Sequence, residues 1–174
     1  LYVDNIGTSN PITIGLGAGN HNIKCNISES QNYSSGIAQG TLSVSKASSQ
    51  TSLVFDRTSP QTYGTIITPN CSLKNGVGTP ELRLDGEIIN PGVPLNLASG
   101  NYNFNCSLIS SQNYTYSENI SSFIIDKSST ITNISTNPLP TISYGDVSNF
   151  SCSNSLGFST ILYINGIDRS FEKD

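Results

Sequence analysis

Residues 99–116 read SGNYNFNCSLISSQNYTY. Within them Tyr102, Phe104, Cys106 and Leu108 alternate with Asn103, Asn105 and Ser107. A period of two with one apolar side predicts a half-buried strand, because successive side chains leave a pleated backbone on opposite faces. Residues 18–35, AGNHNIKCNISESQNYSS, follow the same pattern with His21, Ile23, Cys25 and Ile27 on the inward side. Both stretches continue into Ser-Gln-Asn-Tyr.

Working outward, an offset of 81 residues places Cys25 on Cys106 and Cys71 on Cys152. It also places Asp4 on Asp85, Gly19 on Gly100, Lys46 on Lys127 and Tyr63-Gly64 on Tyr144-Gly145. A third copy starts near Ser128 and slips by one, so that Leu162-Tyr163-Ile164-Asn165-Gly166 falls on residues 82–86. A period this long suits small, separately cored domains in tandem rather than a solenoid. The expected organisation is the C-terminal half of one domain over 1–47, a complete domain over 48–127 and the N-terminal half of another over 128–174.

Strands are expected near 1–3, 12–16, 21–27 and 42–44. In the complete copy they are expected near 53–55, 63–73, 82–84, 88–89, 93–97, 102–108 and 123–125, then again near 131–134, 144–152 and 162–165. Ile66 is out of phase with Cys71, which predicts a bulge near residues 67–69 and accommodates Pro69. Asp85-Gly86 is a hairpin dipeptide. About seven short strands per 81 residues, without helical periodicity, predict an all-β fold of antiparallel two-sheet sandwiches. In an immunoglobulin-like sandwich the strands of Cys71 and Cys106 lie in opposite sheets. A Cys71–Cys106 bridge would cross the core there, closing a loop of 35 residues. The absence of Trp excludes the antibody-type core.

Only 11% of the residues are charged, and the net charge of −4 leaves no basic patch for nucleic acid. No apolar run approaches a membrane span. The chain opens on a leucine in mid-strand with no signal peptide, and it reads as a piece of a longer precursor. Four Cys without CxxC or His partners point to disulfides and an oxidising, extracellular setting rather than zinc. Glycosylation triplets begin at Asn26, Asn32, Asn70, Asn105, Asn113, Asn119, Asn133 and Asn149. Asn26 and Asn105 should point outward beside inward cysteines, and Asn32 and Asn113 share one repeat position.

The Tyr-Gly-Thr at 63–65, Gly-Asn-Tyr-Asn at 100–103, Gln-Asn-Tyr-Thr at 112–115 and Lys-Ser-Ser at 127–129 carry a family likeness. Together they resemble the prokaryotic Ig-like repeats found in tandem in bacterial and archaeal surface proteins. The resemblance implies a stalk, adhesin, S-layer or filament role, with neighbouring copies or further repeats as partners. It implies no catalytic residue, cofactor or metal. The alternative is an adhesive module that recognises glycans or a partner cell-surface protein.

The remaining candidates have plainer readings. The lone His21 takes the position of Tyr102 and is expected to pack on its strand. Asp4 and Asp85 are expected to serve turns by bonding their own backbone. Asp126 is considered for an interdomain calcium site, although no calcium-loop motif exists. Lys46 and Lys127 are expected to be solvated linker residues rather than isopeptide partners. Tyr33, Tyr114 and Tyr116 are expected to pack over a sandwich end, or else to contact sugars or a neighbour. Cys25 and Cys152 each lack a partner at the expected position. Their partners lie either in sequence outside the chain or in a neighbouring copy, head to tail. The first reading is simpler, because the second duplicates residues 1–4 and 162–165 at the junction.

Overall fold

A computed structural model describes residues 1–137 and 141–169. It divides into two compact units, Leu1–Asp126 and Lys127–Asp174, each described by itself. All regular elements among the described residues are strands. The first are β1 (Tyr2–Val3), β2 (Ile6–Gly7), β3 (Gly19–Ile27), β4 (Gly36–Val44), β5 (Gln50–Phe55), β6 (Gln61–Thr62), β7 (Ile66–Ile67) and β8 (Pro69–Asn75). Then come β9 (Glu81–Leu84), β10 (Glu87–Ile89), β11 (Leu95–Asn96), β12 (Gly100–Leu108) and β13 (Ser117–Asp126). The second unit holds β14 (Thr132–Asn137), β15 (Asn149–Asn154), β16 (Tyr163–Ile164) and β17 (Ile167–Asp168).

Two layers of the first unit enclose its core. One is a five-stranded sheet in the order β10-β9-β12-β13-β6, and the other is the antiparallel pair β5-β8. Only the β13–β6 pairing in the five-stranded sheet is parallel. The alternating residues of β12 and β13 supply Phe104, Cys106, Phe123 and Ile125, which join Ile67, Cys71 and Leu82 as the buried cluster. Phe55 of β5 meets Phe104 edge-on at 5.0 Å and Phe123 at 4.9 Å, so aromatic contact spans the layers. A Cys71–Cys106 disulfide joins the same layers, with Cα atoms 5.5 Å apart. Thr51 is buried, but its hydroxyl donates to the Cys106 carbonyl, which offsets the cost of desolvating it.

The predicted strand over 63–73 is divided at Thr68. β7 pairs with β11, whereas β8 pairs with β5. Asp56 holds the break, its Oδ1 accepting from the Thr68 amide at 2.6 Å. Thr68 thus marks a change of partner strand, not a simple bulge, and Pro69 opens β8, where its missing N–H is tolerated.

The first 47 residues form a separate four-stranded sheet, β2-β1-β3-β4. Its pairings repeat those of β10-β9-β12-β13 at an offset of 81. Cys25 faces Ala38 as Cys106 faces Asn119, and Val3 faces Ile23 as Leu84 faces Phe104. The strand expected over 12–16 is absent. At the matching position of the complete copy, β11 is held by pairing with β7. The strand expected over 144–152 is shorter, beginning at Asn149 after a turn at 144–145. In the second unit, β14 faces β15 with Ile134 opposite Cys152, as Leu53 lies opposite Cys71.

Candidate functional site

Three features of the first unit bear on function: the turns that close its hairpins, the join near residue 47 and the free face of the β2-β1-β3-β4 sheet. The β9–β10 turn has positive φ at both central residues, Asp85 at 49° and Gly86 at 92°. Such turns match the strand twist, and Asp, Asn and Gly tolerate them best. Asp4 and Asn5 turn the same way at 49° and 66°, and Asn165 and Gly166 do so at 52° and 77°. Asp85 Oδ1 accepts from the Asn103 amide at 2.8 Å, and Asp4 Oδ1 accepts from the Asn22 amide at 2.9 Å. These carboxylates therefore tie the turn to the neighbouring strand, which corrects the expectation that they bond their own backbone.

His21 does more than pack. Its Nδ1 lies 2.7 Å from Asp4 Oδ2 and its Nε2 lies 2.8 Å from the Gly17 carbonyl. Both partners are acceptors, so the doubly protonated ring satisfies both nitrogens. The hydrogen bond to Asp4 raises the His21 pKa from 6.5, with the Gly17 bond adding to it. The same bond from His21 lowers the Asp4 pKa, helped by the Asn22 amide. At the matching position Tyr102 donates its hydroxyl to the Ala98 carbonyl at 2.9 Å. A side chain that can donate at this position was the available signal.

The join rests on the loop at 111–115. Ala47 N donates to the Asn113 carbonyl at 2.8 Å, and Thr115 N donates to the Ala47 carbonyl at 2.9 Å. Asn113 Oδ1 accepts from the Ala18 amide at 2.8 Å. Lys46 Nζ donates to the Ser111 carbonyl at 2.7 Å, so this lysine is anchored rather than merely solvated. Tyr114 is half-buried beside Ala47, while Tyr33 and Tyr116 are exposed. Tyr116 donates to Glu118 Oε2 at 2.8 Å, and that carboxylate raises its pKa.

The glycosylation triplets differ in access. Asn26, Asn32, Asn70, Asn113, Asn119, Asn133 and Asn149 are exposed. Asn105, expected to point freely outward, is half-buried because β12 lies between β9 and β13. Its Nδ2 donates to Glu118 Oε2, and its Oδ1 is enclosed without a partner.

The free face carries the largest contrast. Cys106, Leu108 and Phe123 are buried, yet at the matching positions Cys25 is exposed, Ile27 is 70% exposed and Leu42 is 48% exposed. Ile23, Cys25, Ala38, Gly40 and Leu42 line a shallow depression there. In the second unit Cys152 is half-buried and free, beside Ile134 at 67% exposure.

Among the described residues no group of three or more His, Cys, Asp or Glu could hold a metal ion, and Asp126 stands in no such group. Among them no helix is long and apolar enough to cross a membrane. Comparison of the chain with protein-family models, curated proteins and solved structures gives no match.

Proposed function

We propose that the chain is a non-enzymatic, load-bearing segment of a cell-surface stalk or filament, built from Ig-like sandwiches repeating every 81 residues. The observation that carries this reading is the common strand register of the β2-β1-β3-β4 and β10-β9-β12-β13 sheets at that offset. A serial array needs units of one geometry joined in a defined way. The hydrogen bonds of Ala47, Lys46 and Ala18 to the 111–115 loop supply such a join. The cross-layer disulfide favours an oxidising, extracellular location. The exposed triplets, Asn26 and Asn32 foremost, are the proposed glycan carriers, and Asn105 is not.

Force spectroscopy of the full chain tests the reading. The complete sandwich spans residues 48–126, and 35 positions separate its bridged cysteines. Oxidised protein should therefore release roughly 150 Å of contour on unfolding, rising to roughly 270 Å after reduction, at about 3.4 Å per residue. Extension without a discrete force peak in the oxidised protein would overturn the load-bearing role.

A second reading, recognition of glycans or a partner surface protein, draws on Tyr33, which is 78% exposed at a loop tip. Binding on a glycan array that is lost with Tyr33→Ala would favour it.

A further inference from the structure

The bend at residues 17–18, just before β3, is tied on both sides. Its Ala18 amide donates to Asn113 Oδ1 of the sandwich at 2.8 Å, and its Gly17 carbonyl lies 2.8 Å from His21 Nε2. Glycine at 17 permits the close approach, since a Cβ there would stand 3.1 Å from Asn113 Oδ1 and 3.5 Å from Gln112 Nε2. The bonds of Lys46 and Ala47 to the 111–115 loop belong to the linker itself, which leads from β4 into β5. The Ala18–Asn113 bond adds a contact from outside the linker. Two contacts define an orientation that a single connection leaves free.

We infer that His21 makes the joint between the β2-β1-β3-β4 sheet and the sandwich pH-dependent. Doubly protonated, the ring locks the 17–18 bend against Asn113; on losing a proton it frees the bend and lets the sheet swing about Ala47. The ring faces two acceptors, Asp4 Oδ2 at 2.7 Å and the Gly17 carbonyl. With one proton left, the carboxylate keeps it, because a charged acceptor outcompetes a neutral one. Nε2 then turns a lone pair on the Gly17 carbonyl, and the bend loses its inner tie. The surroundings leave Asp4 as the charge that acts on the ring. β4, which faces His21 at Leu42, carries no titratable side chain over 36–44. Tyr2 and Lys24 are paired in register, and alternation puts them on the opposite side of the sheet. Cys25 shares the ring's side four residues along β3, Lys46 Nζ is taken by the Ser111 carbonyl, and Tyr114 lies beside Ala47. Both ring bonds raise the His21 pKa from 6.5, so the lock is complete below that pH and opens as pH rises through the folded value.

The inference takes only the join from the serial-array reading, and its failure leaves the force peak of residues 48–126 untouched. The test follows residual dipolar couplings and the His21 ring titration by NMR on the 174-residue chain, between about pH 5 and 8.5. At acid pH one alignment tensor should fit β3-β4 and β12-β13 together. Above the ring's midpoint the two sheets should need separate tensors. Protection of the Ala18 amide, corrected for its intrinsic rate, should fall about two- to fivefold over the same range. His21→Tyr should keep one tensor throughout, because a phenol holds its proton where imidazole titrates and Tyr102 reaches the matching carbonyl at 2.9 Å. Asn113→Ala should separate the tensors at acid pH too. By reciprocity it should also lower the proton affinity of the ring by about the same two- to fivefold factor. One tensor for the wild type across the whole titration, or the same pH-dependent separation in His21→Tyr, would overturn the inference. So would a ring midpoint unmoved by Asn113→Ala.

Discussion

Removing the bridge beneath the core by Cys71→Ala and Cys106→Ala should cost the complete sandwich a large share of its stability. The bridge closes a loop of 35 residues, worth about 4 kcal/mol on loop entropy. Cys106 is fully buried and Cys71 is 7% exposed, so truncation to Ala adds about 1 kcal/mol for the gap left behind. A domain of this size holds only about 4–12 kcal/mol in total. The melting temperature should therefore fall by roughly 20 °C or more. Reduction of the wild type separates the two contributions, since thiols keep the volume of the bridge and lose only its constraint. The assay is thermal circular dichroism with hydrogen exchange followed on β12, in a Cys25→Ser/Cys152→Ser background that prevents exchange between bridges. A fall below about 5 °C on reduction, or equal loss of protection in β3 and β12, would refute the argument that this bridge staples this core.

The His21–Asp4 pair gives a pH response with a definite sign. The raised His21 pKa contributes stability below about pH 6.5 that is lost as pH rises through the folded value, and the lowered Asp4 pKa contributes above about pH 3.8 and is lost as pH falls through its own. Exchange protection of the Asn22 amide should thus be greatest between those limits, and His21→Gln should flatten the alkaline side. Asp85→Ala should destabilise by about 2 kcal/mol in urea titrations, through the left-handed backbone and the lost bond to Asn103, whereas Asp85→Asn should be nearly neutral because Asn165 already turns that way at 52°. Asn113→Ala should raise exchange at the Ala18 amide, leaving β12 unchanged, and Asn113→Asp should restore it.

The alternation of residues 102–108, the Asp85-Gly86 turn and the partnership of Cys71 with Cys106 were legible because each follows from local periodicity or fixed chain position. What escaped depends on partners distant in the chain. The pattern of Ile12, Ile14 and Leu16 is that of a strand, but a strand also needs a hydrogen-bonded neighbour, and residues 12–16 join no sheet among the described residues, whereas β11 pairs with β7. The break at Thr68 depends on Asp56, whose carboxylate reaches across from beyond β5. Asn105 alternates outward by sequence, yet its central strand encloses its amide oxygen between neighbouring chains of the sheet. The bonds of Ala47 are made by backbone groups, which no residue identity advertises.

Alternation fixes which side of a strand is apolar, but not whether anything covers it. That distinction separates Cys25 from Cys106, which share a repeat position and differ in the layer above them. It also bears on what the segment can do. With 11% charged residues, long-range ionic attraction is a weak means of bringing copies together. In the proposed array, contact between units would rest instead on apolar faces of matching register and on backbone hydrogen bonds, both of short range and little affected by salt. Such contacts reject a face displaced by one residue, because a one-residue slip turns every inward side chain outward. A polar, sparsely charged chain of this kind gains specificity from geometry, and the Cys71–Cys106 bridge fixes that geometry across the two layers of its core.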